Sequence, residues 1–521
     1  MSLRNLIVIY GDQLNQDSPV FKGFDKSQDR VWMAESVGEA SHVHSTKSRI
    51  AIFFAAMRHF REELREKGYS IEYHEVNVKS KSASLKSILR GDLKRIKPVT
   101  VRCVQPGEWR TEKCLKDVCR ELHIELELLD DTHFLSKRDF FQNWASGRKE
   151  LRLEYFYREL RKRHNILIDG DGKPIGGNWN YDADNRMSFG KRGPHDLPAP
   201  LRFEPDSTTR EVIDLVNKKF DQHPGTLDHF VWPTCRKDAI KALKGFIRDR
   251  LPYFGIYQDA MWTEEPFLYH SLLSSSLNLK LLNPLEVIET AIEAYEKGNA
   301  PINAVEGFVR QILGWREFIR HIYWSRMPGY DKENALAADQ PLPDFYWTAE
   351  TPLTCLRQTI SQTLNYGYAH HIQRLMVTGL YSLLLGIEPK AISNWYLAVY
   401  IDAVEWVELP NVIGMSQYAD GGYMSSKPYS ATGKYIHKMS NYCQHCPMDP
   451  NDSLGEKACP FTTLYWDFLV RNRERLDGNN RMNLQLRNVD RLSRERLKAI
   501  KSRADEVKKD PSCRQIVNRS K

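Results

Sequence analysis

Short apolar runs alternate with amphipathic helix patterns over the first 135 residues, and no convincing strand pattern follows residue 206. The runs lie at 6–9, 31–35, 71–76, 99–104 and 124–129. Between them, apolar side chains recur at helical spacing over 47–67, and 111–122 opens with Thr111 as a candidate helix N-cap. Strands that alternate with helices predict a parallel, doubly wound sheet.

The rest of the chain has a different pattern. Residues 136–205 are rich in Gly, Pro and Asn, which is typical of a linker with ordered loops, and long amphipathic segments follow at 304–324, 353–386 and 392–406. We therefore expect an α/β N-terminal domain with a Rossmann-like parallel sheet (1–135), an interdomain linker (136–230) and a large all-α C-terminal domain (231–521). The basic tail at 481–521 is predicted to be helical and then frayed.

Composition excludes several classes of protein. The 521 residues are 41% hydrophobic with a net charge of +8, so the chain is not intrinsically disordered. Its apolar stretches are shorter than the 18 or so residues that cross a bilayer, and its first ten residues lack the regions of a signal peptide. We expect a cytoplasmic protein with no membrane partner.

The first predicted strand ends without a dinucleotide-binding motif. It runs into Gly11, Asp12 and Gln13, with no GxGxxG, so a nicotinamide cofactor is not expected. Ligands of doubly wound sheets lie beyond the carboxyl ends of the strands. This rule points to 11–13, 35–39 and 106–109, although each segment alone is equally typical of an ordinary turn.

Three of the nine cysteines form a C-x2-C-x12-C group at Cys443, Cys446 and Cys459. A zinc ribbon would offer a second C-x2-C pair, whereas iron-sulfur clusters accept a distant fourth ligand and often have Pro after a ligand. Cys355 is the best candidate for that fourth ligand. The alternative is coincidental free thiols, which is our interpretation of the other five cysteines.

Two further segments carry groups that suit a phosphate or a buried ion pair. Ser274, Ser275 and Ser276 precede a Leu-rich helical stretch, where hydroxyls can hold a phosphate or simply cap a helix. Arg316 and Glu317 lie in an aromatic amphipathic helix, and a partly buried ion pair is the plain alternative to a ligand contact.

These segments resemble motifs of the photolyase/cryptochrome family. Ser274-Ser275-x-Leu277-Asn278-x-x-Leu281 is similar to its flavin-phosphate motif, and 315–318 is similar to its WREF helix. The four cysteines match the 4Fe-4S ligands of the iron-sulfur bacterial cryptochromes and photolyases, the group that includes the prokaryotic (6-4) photolyases. The similarity covers nearly the whole chain, including 180–186, 366–374 and 402–411.

The resemblance implies an FAD site in the helical domain. The residues implied for the diphosphate are Ser274, Ser275, Leu277 and Asn278, those for the pocket border are Trp315 and Arg316, and those near the isoalloxazine are Asp402, Glu408 and Asn411. His370 and His371 are expected on one helix, where one ring faces the pocket and transfers a proton while the other supports it. Tyr366, one turn earlier, would share the lesion pocket.

The resemblance also implies contacts outside the flavin site. Arg186 is expected to contact DNA or lesion, while Asp182 and Asp259 could hold a hydrated Mg²⁺. Trp395, Tyr396 and Trp347 correspond to a chain of rings for electron transfer, with core packing as the alternative. A 6,7-dimethyl-8-ribityllumazine antenna would contact Gly11, Asp12, Gln13 and Glu39, with Glu35 and Glu108 nearby.

The expected function is light-driven repair of (6-4) photoproducts in UV-damaged DNA by a monomer that holds FAD, a 4Fe-4S cluster and the lumazine. A blue-light photoreceptor of the same fold is the first alternative. A nucleic-acid-binding iron-sulfur protein without photochemistry is the second, and it predicts a protein without flavin.

Overall fold

The computed structural model describes residues 3–148 and 150–519. Its N-terminal part holds one sheet of five parallel strands in the order β3-β2-β1-β4-β5. The strands are β1 (Asn5–Val8), β2 (Asp29–Ala34), β3 (Ile71–His74), β4 (Thr100–Val104) and β5 (Glu125–Leu129). All five predicted strands are confirmed within one residue at each end, except that β2 begins two residues early and β3 ends two residues early. The doubly wound α/β prediction is therefore correct.

Four helices connect these strands. They are α1 (Val37–Ala40), α2 (Lys47–Glu66), α3 (Leu85–Ile96) and α4 (Trp109–Glu121). Thr46 caps α2 by accepting a hydrogen bond from the Arg49 amide, and the apolar stripe predicted for this helix is mostly buried. The predicted Thr111 cap is wrong, because α4 begins at Trp109, directly after the turn at Gly107 and Glu108.

The remaining described residues are helical or irregular, which confirms the all-α prediction for the second part. The first of these helices in chain order are α5 (Arg138–Ala145), α6 (Leu153–His164), α7 (Ser207–Lys219), α8 (Arg236–Asp249), α9 (Leu251–Tyr257), α10 (Ser274–Asn278) and α11 (Pro284–Glu296). The next are α12 (Ile302–Val309), α13 (Glu317–Arg326), α14 (Phe345–Thr348), α15 (Thr354–Tyr366), α16 (His371–Gln373), α17 (Leu380–Leu385), α18 (Pro389–Val399) and α19 (Glu405–Leu409). The last are α20 (Gly433–Met439), α21 (Pro460–Arg471), α22 (Asn483–Asp490), α23 (Arg494–Lys509) and α24 (Arg514–Arg519).

Three helical stretches have π-type hydrogen bonding; the first two each join two α-helices without a break, and the third extends α19 at its C-terminal end. They are Arg310–Arg316, Arg374–Gly379 and Pro410–Ser416. A π-turn contains an extra residue, so it shifts the side chains that follow to a different face of the helix. Amphipathic spacing in the sequence cannot show such a shift.

The predicted linker contains more regular structure than its composition suggests. Helices α5, α6 and α7 lie within 136–230, and α6 packs against the π-helical stretch Arg310–Arg316. The segment is therefore not made of loops alone, while the domain boundaries stay predictions.

Polar side chains of the helical part hold the end of the α/β part. Glu317 is fully buried and its carboxylate accepts hydrogen bonds from the amides of Leu135 and Ser136, both at 3.0 Å. Arg316 lies 3.9 Å from Glu317 and donates instead to the carbonyl of His133. The interpretation of these two residues as mainly an ion pair with each other is thus too simple, because both bind the backbone of 133–136.

None of the described helices is both long enough and apolar enough to span a membrane.

Candidate functional site

The main cavity has a volume of about 450 Å³ and lies among the helices of the second part. This size falls in the range of small-molecule and cofactor pockets. Fourteen of the residues singled out from the sequence contribute to its wall. They are Asp182, Arg186, Asp259, Ser274, Leu277, Asn278, Trp315, Arg316, His370, His371, Tyr396, Asp402, Glu408 and Asn411.

The serine run forms one end of the cavity. Ser274 lies in the wall, whereas Ser275 is behind it. The hydroxyls of Ser275 and Ser276 are buried and have no hydrogen-bond partner within the protein, and the same is true of Nε and Nη2 of Arg316. Unpaired buried donors are costly, and Arg316 lines the cavity, so its free donors suit a bound ligand with many acceptor oxygens.

A buried charge cluster forms another part of the wall. Arg374 donates two hydrogen bonds to the Asp402 carboxylate, at 3.0 and 3.1 Å, and one to Glu408 at 3.1 Å. Burial raises the pKa of Glu408 to about 7 although Arg374 opposes this change. Asn278 donates to the carbonyl of Asp402 at 2.8 Å and links the cluster to the serine run. Sequence reasoning named the two carboxylates but not the arginine between them.

The two adjacent histidines differ in exposure. His370 is 2% exposed and stacks on His270 with 4.3 Å between ring centroids, and neither of its ring nitrogens has a partner. His371 is exposed to the cavity. Desolvation and the charge of Arg374 lower the pKa of His371 to about 4, so its ring is neutral at pH 7 until a bound anion raises that pKa.

Buried His370 makes stability depend on pH. Burial lowers its pKa well below 6.5 in the folded state, so only the unfolded chain takes up this proton as the pH falls through 6.5. We expect the wild type to lose about 1.4 kcal/mol of unfolding free energy per pH unit below 6.5, relative to His370→Asn. Urea unfolding of both proteins at pH 5.5–8 measures this difference, and parallel curves would contradict it.

The helix predicted to carry Tyr366 and both histidines is interrupted. Helix α15 ends at Tyr366, and Gly367 has a φ of 63°, the left-handed conformation in which glycine ends helices. Tyr366 consequently lies outside the cavity wall and contacts His229 and Phe267. The expected position of Tyr366 one turn before His370 is wrong, and Tyr368 lines the cavity instead.

Acidic and basic side chains alternate at one side of the cavity. Asp182 pairs with Arg310, which is buried, and with exposed Arg186 at 3.5 Å. Burial raises the pKa of Asp259 to about 6, with the arginine charges acting against this change. Among the described residues, no third metal-ligating side chain completes a compact group with these carboxylates.

The predicted aromatic residues form a continuous row. Tyr396 lines the cavity, its ring centroid lies 5.4 Å from that of Trp395, and Trp395 lies 6.4 Å from partly exposed Trp347. His44 continues the row, 5.4 Å beyond Trp347. The rings thus lead from the cavity towards the surface.

A second cavity of about 100 Å³ lies at the carboxyl ends of the strands. Its wall includes Gly11, Asp12, Glu35, Glu39 and Glu108. The strand-end argument thus brought the correct segments together. Gln13 is not in the wall, because its side chain is buried and bonded to the backbone of Tyr10 and Val104.

Trp406 lies between the two cavities. It lines the main cavity, and its ring lies against Gly107 of the second cavity so closely that a Cβ at Gly107 would lie 2.9 Å from the ring and 2.8 Å from Asp12. Glycine at this turn therefore permits the approach. One buried ring separates the two sites.

The four cysteines singled out from the sequence meet around one small void. Cys355, Cys443, Cys446 and Cys459 line it, and a Cβ at Gly433 would lie 2.8 Å from the Cys459 sulfur. Burial and the neighbouring thiols raise the pKa of Cys443 and Cys459 to about 12. No three of these sulfurs lie within 4.8 Å of one another in the part of the chain described, whereas four thiolates on a single zinc would be about 3.8 Å apart.

The comparisons with known proteins agree on one family. A family model described as deoxyribodipyrimidine photo-lyase-related protein matches residues 7–232. The chain is 47% identical over 482 residues to a protein of Agrobacterium fabrum named (6-4) photolyase, in an alignment that covers 92% of this chain and 94% of that protein.

Two solved structures share the fold. A bacterial class III photolyase from Agrobacterium tumefaciens aligns with a TM-score of 0.57 and 15% identity, over 84% of this chain and 86% of that one. The cryptochrome of Synechocystis sp. PCC6803 aligns with a TM-score of 0.55 and 11% identity, over 94% and 99%. The chain therefore belongs to the photolyase/cryptochrome family, in the group of the bacterial (6-4) photolyases.

Proposed function

We propose that this protein uses light to revert (6-4) photoproducts in UV-damaged DNA, with FAD in the main cavity. Membership of the photolyase family implies both FAD and damaged DNA. The observation that carries the proposal is the position of exposed His371 in the same cavity wall as the Arg374–Asp402–Glu408 cluster. A proton donor and a carboxylate that can tune the flavin then face the same cavity.

The donor groups of the cavity fit FAD. Ser274 in the wall and the free guanidinium nitrogens of Arg316 suit a diphosphate, and Asp402, Glu408 and Asn411 suit a flavin ring with polar edges. The chemistry that reduced FAD supplies at such a site is the donation of one electron when it absorbs light.

The chain's own residues then position the lesion and move one proton. Arg186 binds a phosphate beside the flipped lesion, and the lost Arg186–Asp182 pair costs little because Arg186 is 63% exposed. His371 gives its proton to the lesion oxygen and takes it back. His370, stacked on His270, holds the backbone that aims the His371 ring.

The aromatic row supports a second proposal about electron flow. We infer that Trp347, Trp395 and Tyr396 would carry electrons from a reductant in solution to the flavin before repair, since neighbouring ring centroids are at most 6.4 Å apart. Replacement of the central ring would interrupt this row without touching the cavity wall, because Trp395 lies behind Tyr396.

The strand-end cavity suits a flat heteroaromatic antenna, for which we propose 6,7-dimethyl-8-ribityllumazine. Phe53, Phe54 and Met57 give it an apolar wall, while Asp12 and Glu108 offer polar contacts to a ring edge. Glu39 is held by Arg110 at this rim, with one bond at 2.8 Å.

The donor set at Asp182 and Asp259 does not fit a dedicated magnesium cage. Asp182 already faces two arginines, and magnesium demands several oxygen ligands in octahedral order. A hydrated Mg²⁺ that contacts these carboxylates only when DNA is bound stays a prediction.

For the cysteine site we propose a 4Fe-4S cluster rather than zinc, on the separation of the sulfurs. Burial and the neighbouring thiols raise the pKa of Cys355, so the four sulfurs are not easily ionised together without a metal centre. A bound cluster would hold them as thiolates and would therefore stabilise this region strongly. We expect Cys355→Ala to lose most of its iron and to melt at a lower temperature than the wild type. Iron assay and circular dichroism melting measure both.

The matched control for this variant is Cys235→Ala. Cys235 is partly exposed and lies at the N-cap of α8, outside the four-cysteine void. It should keep the iron content of the wild type. Full iron in Cys355→Ala would contradict the ligand assignment.

The function is tested with purified protein, reduced in the dark and then illuminated with an oligonucleotide that contains one (6-4) photoproduct, with and without EDTA. Restored bases only in the light support the proposal, and repair undiminished by EDTA removes the magnesium prediction. Bound flavin that is photoreduced without repair would favour a photoreceptor. A protein that never binds flavin would favour the non-photochemical iron-sulfur protein.

A further inference from the structure

The positive charge of this protein is concentrated at its C-terminal end. Residues 481–521 contain 13 Lys and Arg against 5 Asp and Glu, a net charge of +8. The whole chain also has a net charge of +8, so residues 1–480 are balanced with 62 basic and 62 acidic residues. The C-terminal segment therefore carries the whole net positive charge of the chain, and such a concentration of charge attracts polyanions.

Helices α22 and α23 present these charges to solvent. Eight exposed cations of this segment have no carboxylate within 4 Å among the residues that the structure describes, and six of them lie within 487–501. These six are Arg487, Arg491, Arg494, Arg496, Lys498 and Lys501. Three of them, Arg494, Lys498 and Lys501, recur at i, i+4 and i+7 and so share one face of α23. We call these six residues the basic stripe.

A different face of α23 is already occupied. Ile500, Ala504 and Val507 are buried, and α23 packs against α21. An amphipathic helix that binds a bilayer must insert its apolar face, and here that face is part of the core. The basic stripe thus offers charge without an apolar anchor, which favours a nucleic-acid backbone over a membrane.

The basic segment begins beside the main cavity. Arg481 donates to the hydroxyl of Ser426 and lies near enough to Tyr429 to affect its pKa, and Tyr429 lines the cavity. From there α22 extends over eight residues, about 12 Å, and Lys501 lies seven residues, about 10 Å, beyond Arg494 along α23. The cations therefore cover a distance comparable with several base pairs of DNA.

We propose that the basic stripe binds the phosphate backbone of duplex DNA outside the lesion. It supplies the sequence-independent, salt-sensitive part of the affinity and keeps the cavity on the DNA while a lesion is found. This inference rests on the proposed function for the identity of the polyanion, but not on any photochemical step.

The test compares two triple variants with equal loss of charge. Arg494→Gln/Lys498→Gln/Lys501→Gln alters the stripe, and Lys81→Gln/Lys86→Gln/Lys94→Gln alters exposed lysines without ion pairs around α3. Fluorescence anisotropy with an undamaged 30-base-pair duplex gives Kd over a range of salt concentrations. We expect the slope of log affinity against log salt to fall by about 2.7 in the stripe variant and to stay unchanged in the α3 variant.

A third protein, Lys498→Arg/Lys501→Arg, keeps the charge and should keep the wild-type slope. Equal slopes in both triple variants, with unchanged melting temperatures, would overturn the proposal. It would also be overturned if the stripe variant lost binding to phosphatidylserine vesicles but bound DNA as the wild type does. A wild type that binds duplex DNA through the stripe but repairs no lesion would instead overturn the proposed function and leave this inference standing.

Discussion

His371→Asn is expected to lower the rate of photorepair about 10²- to 10⁴-fold, the usual contribution of a positioned proton donor. The side chain faces the cavity, and asparagine keeps its approximate size and polarity but cannot carry the proton at neutral pH. Flavin content and light-driven flavin reduction should remain, since the row of rings is separate from this residue. Single-turnover repair per absorbed photon is the measurement.

The neighbouring histidine supplies the control. His370→Asn removes the ring stacked on His270 but leaves His371 in the cavity wall, so its repair rate should fall less. The reverse order of the two defects would show that the buried ring, not the exposed one, is the proton donor. Equal rates in the wild type and in His371→Asn would refute histidine-assisted proton transfer.

Arg374→Met should destabilise the folded protein by about 3–5 kcal/mol, because it leaves two buried carboxylates without their cation. Asp402 and Glu408 receive three hydrogen bonds of 3.0–3.1 Å from this one side chain, and Arg374 also lies 3.7 Å from the centre of the Tyr400 ring. Methionine nearly fills the volume of the arginine side chain, so the loss of stability comes from the missing charge and not from a cavity. Urea unfolding at pH 7 measures it.

A surface pair is the matched control for Arg374→Met. Lys390 lies 2.8 Å from Asp331, and both side chains are well hydrated, with 42% and 27% exposure. Lys390→Met should therefore cost less than about 1 kcal/mol. The loss of unfolding free energy in Arg374→Met should grow as the pH of the measurement rises. Protonation keeps the buried Glu408 side chain neutral, and at higher pH this proton is lost. A defect as small as that of the control would mean that the cluster is not a stabilising unit.

Hydrophobic periodicity was sufficient for the α/β fold. Strand and helix alternation depends on which face of each element is buried, and that information is local. The same reasoning missed the break between Tyr366 and His370, because Gly367 is compatible with a helix interior in sequence and its left-handed conformation is set by the surrounding packing. The expected place of Tyr366 was wrong for this reason.

The site was less predictable than the fold. Strand-end geometry located the second cavity, and cysteine spacing brought three of four cysteines together without the structure. Arg374 and His270 were missed as site residues, since an arginine or histidine within a helical segment carries no signal until its partners are known. Arg374 lies in a segment already singled out, at 366–374, and His270 lies just before the serine run that begins at Ser274. The π-turns that direct Arg316, Arg374 and Asn411 have no sequence signature either.

The polar contacts that hold the end of the α/β part have a consequence for the order of events on the ribosome. Buried Asp131 is paired at 2.7 Å with Lys280, 149 residues later, and the amide of Leu135 is paired with Glu317, 182 residues later. At 5–20 residues per second, the first partner is made about 7–30 s after Asp131. During this interval the nascent sheet is complete in sequence, but Asp131 at its edge lacks the partner with which it is buried in the complete fold. Its last segment can therefore settle only when the flavin-side helices emerge, so the two halves mature together rather than one after the other.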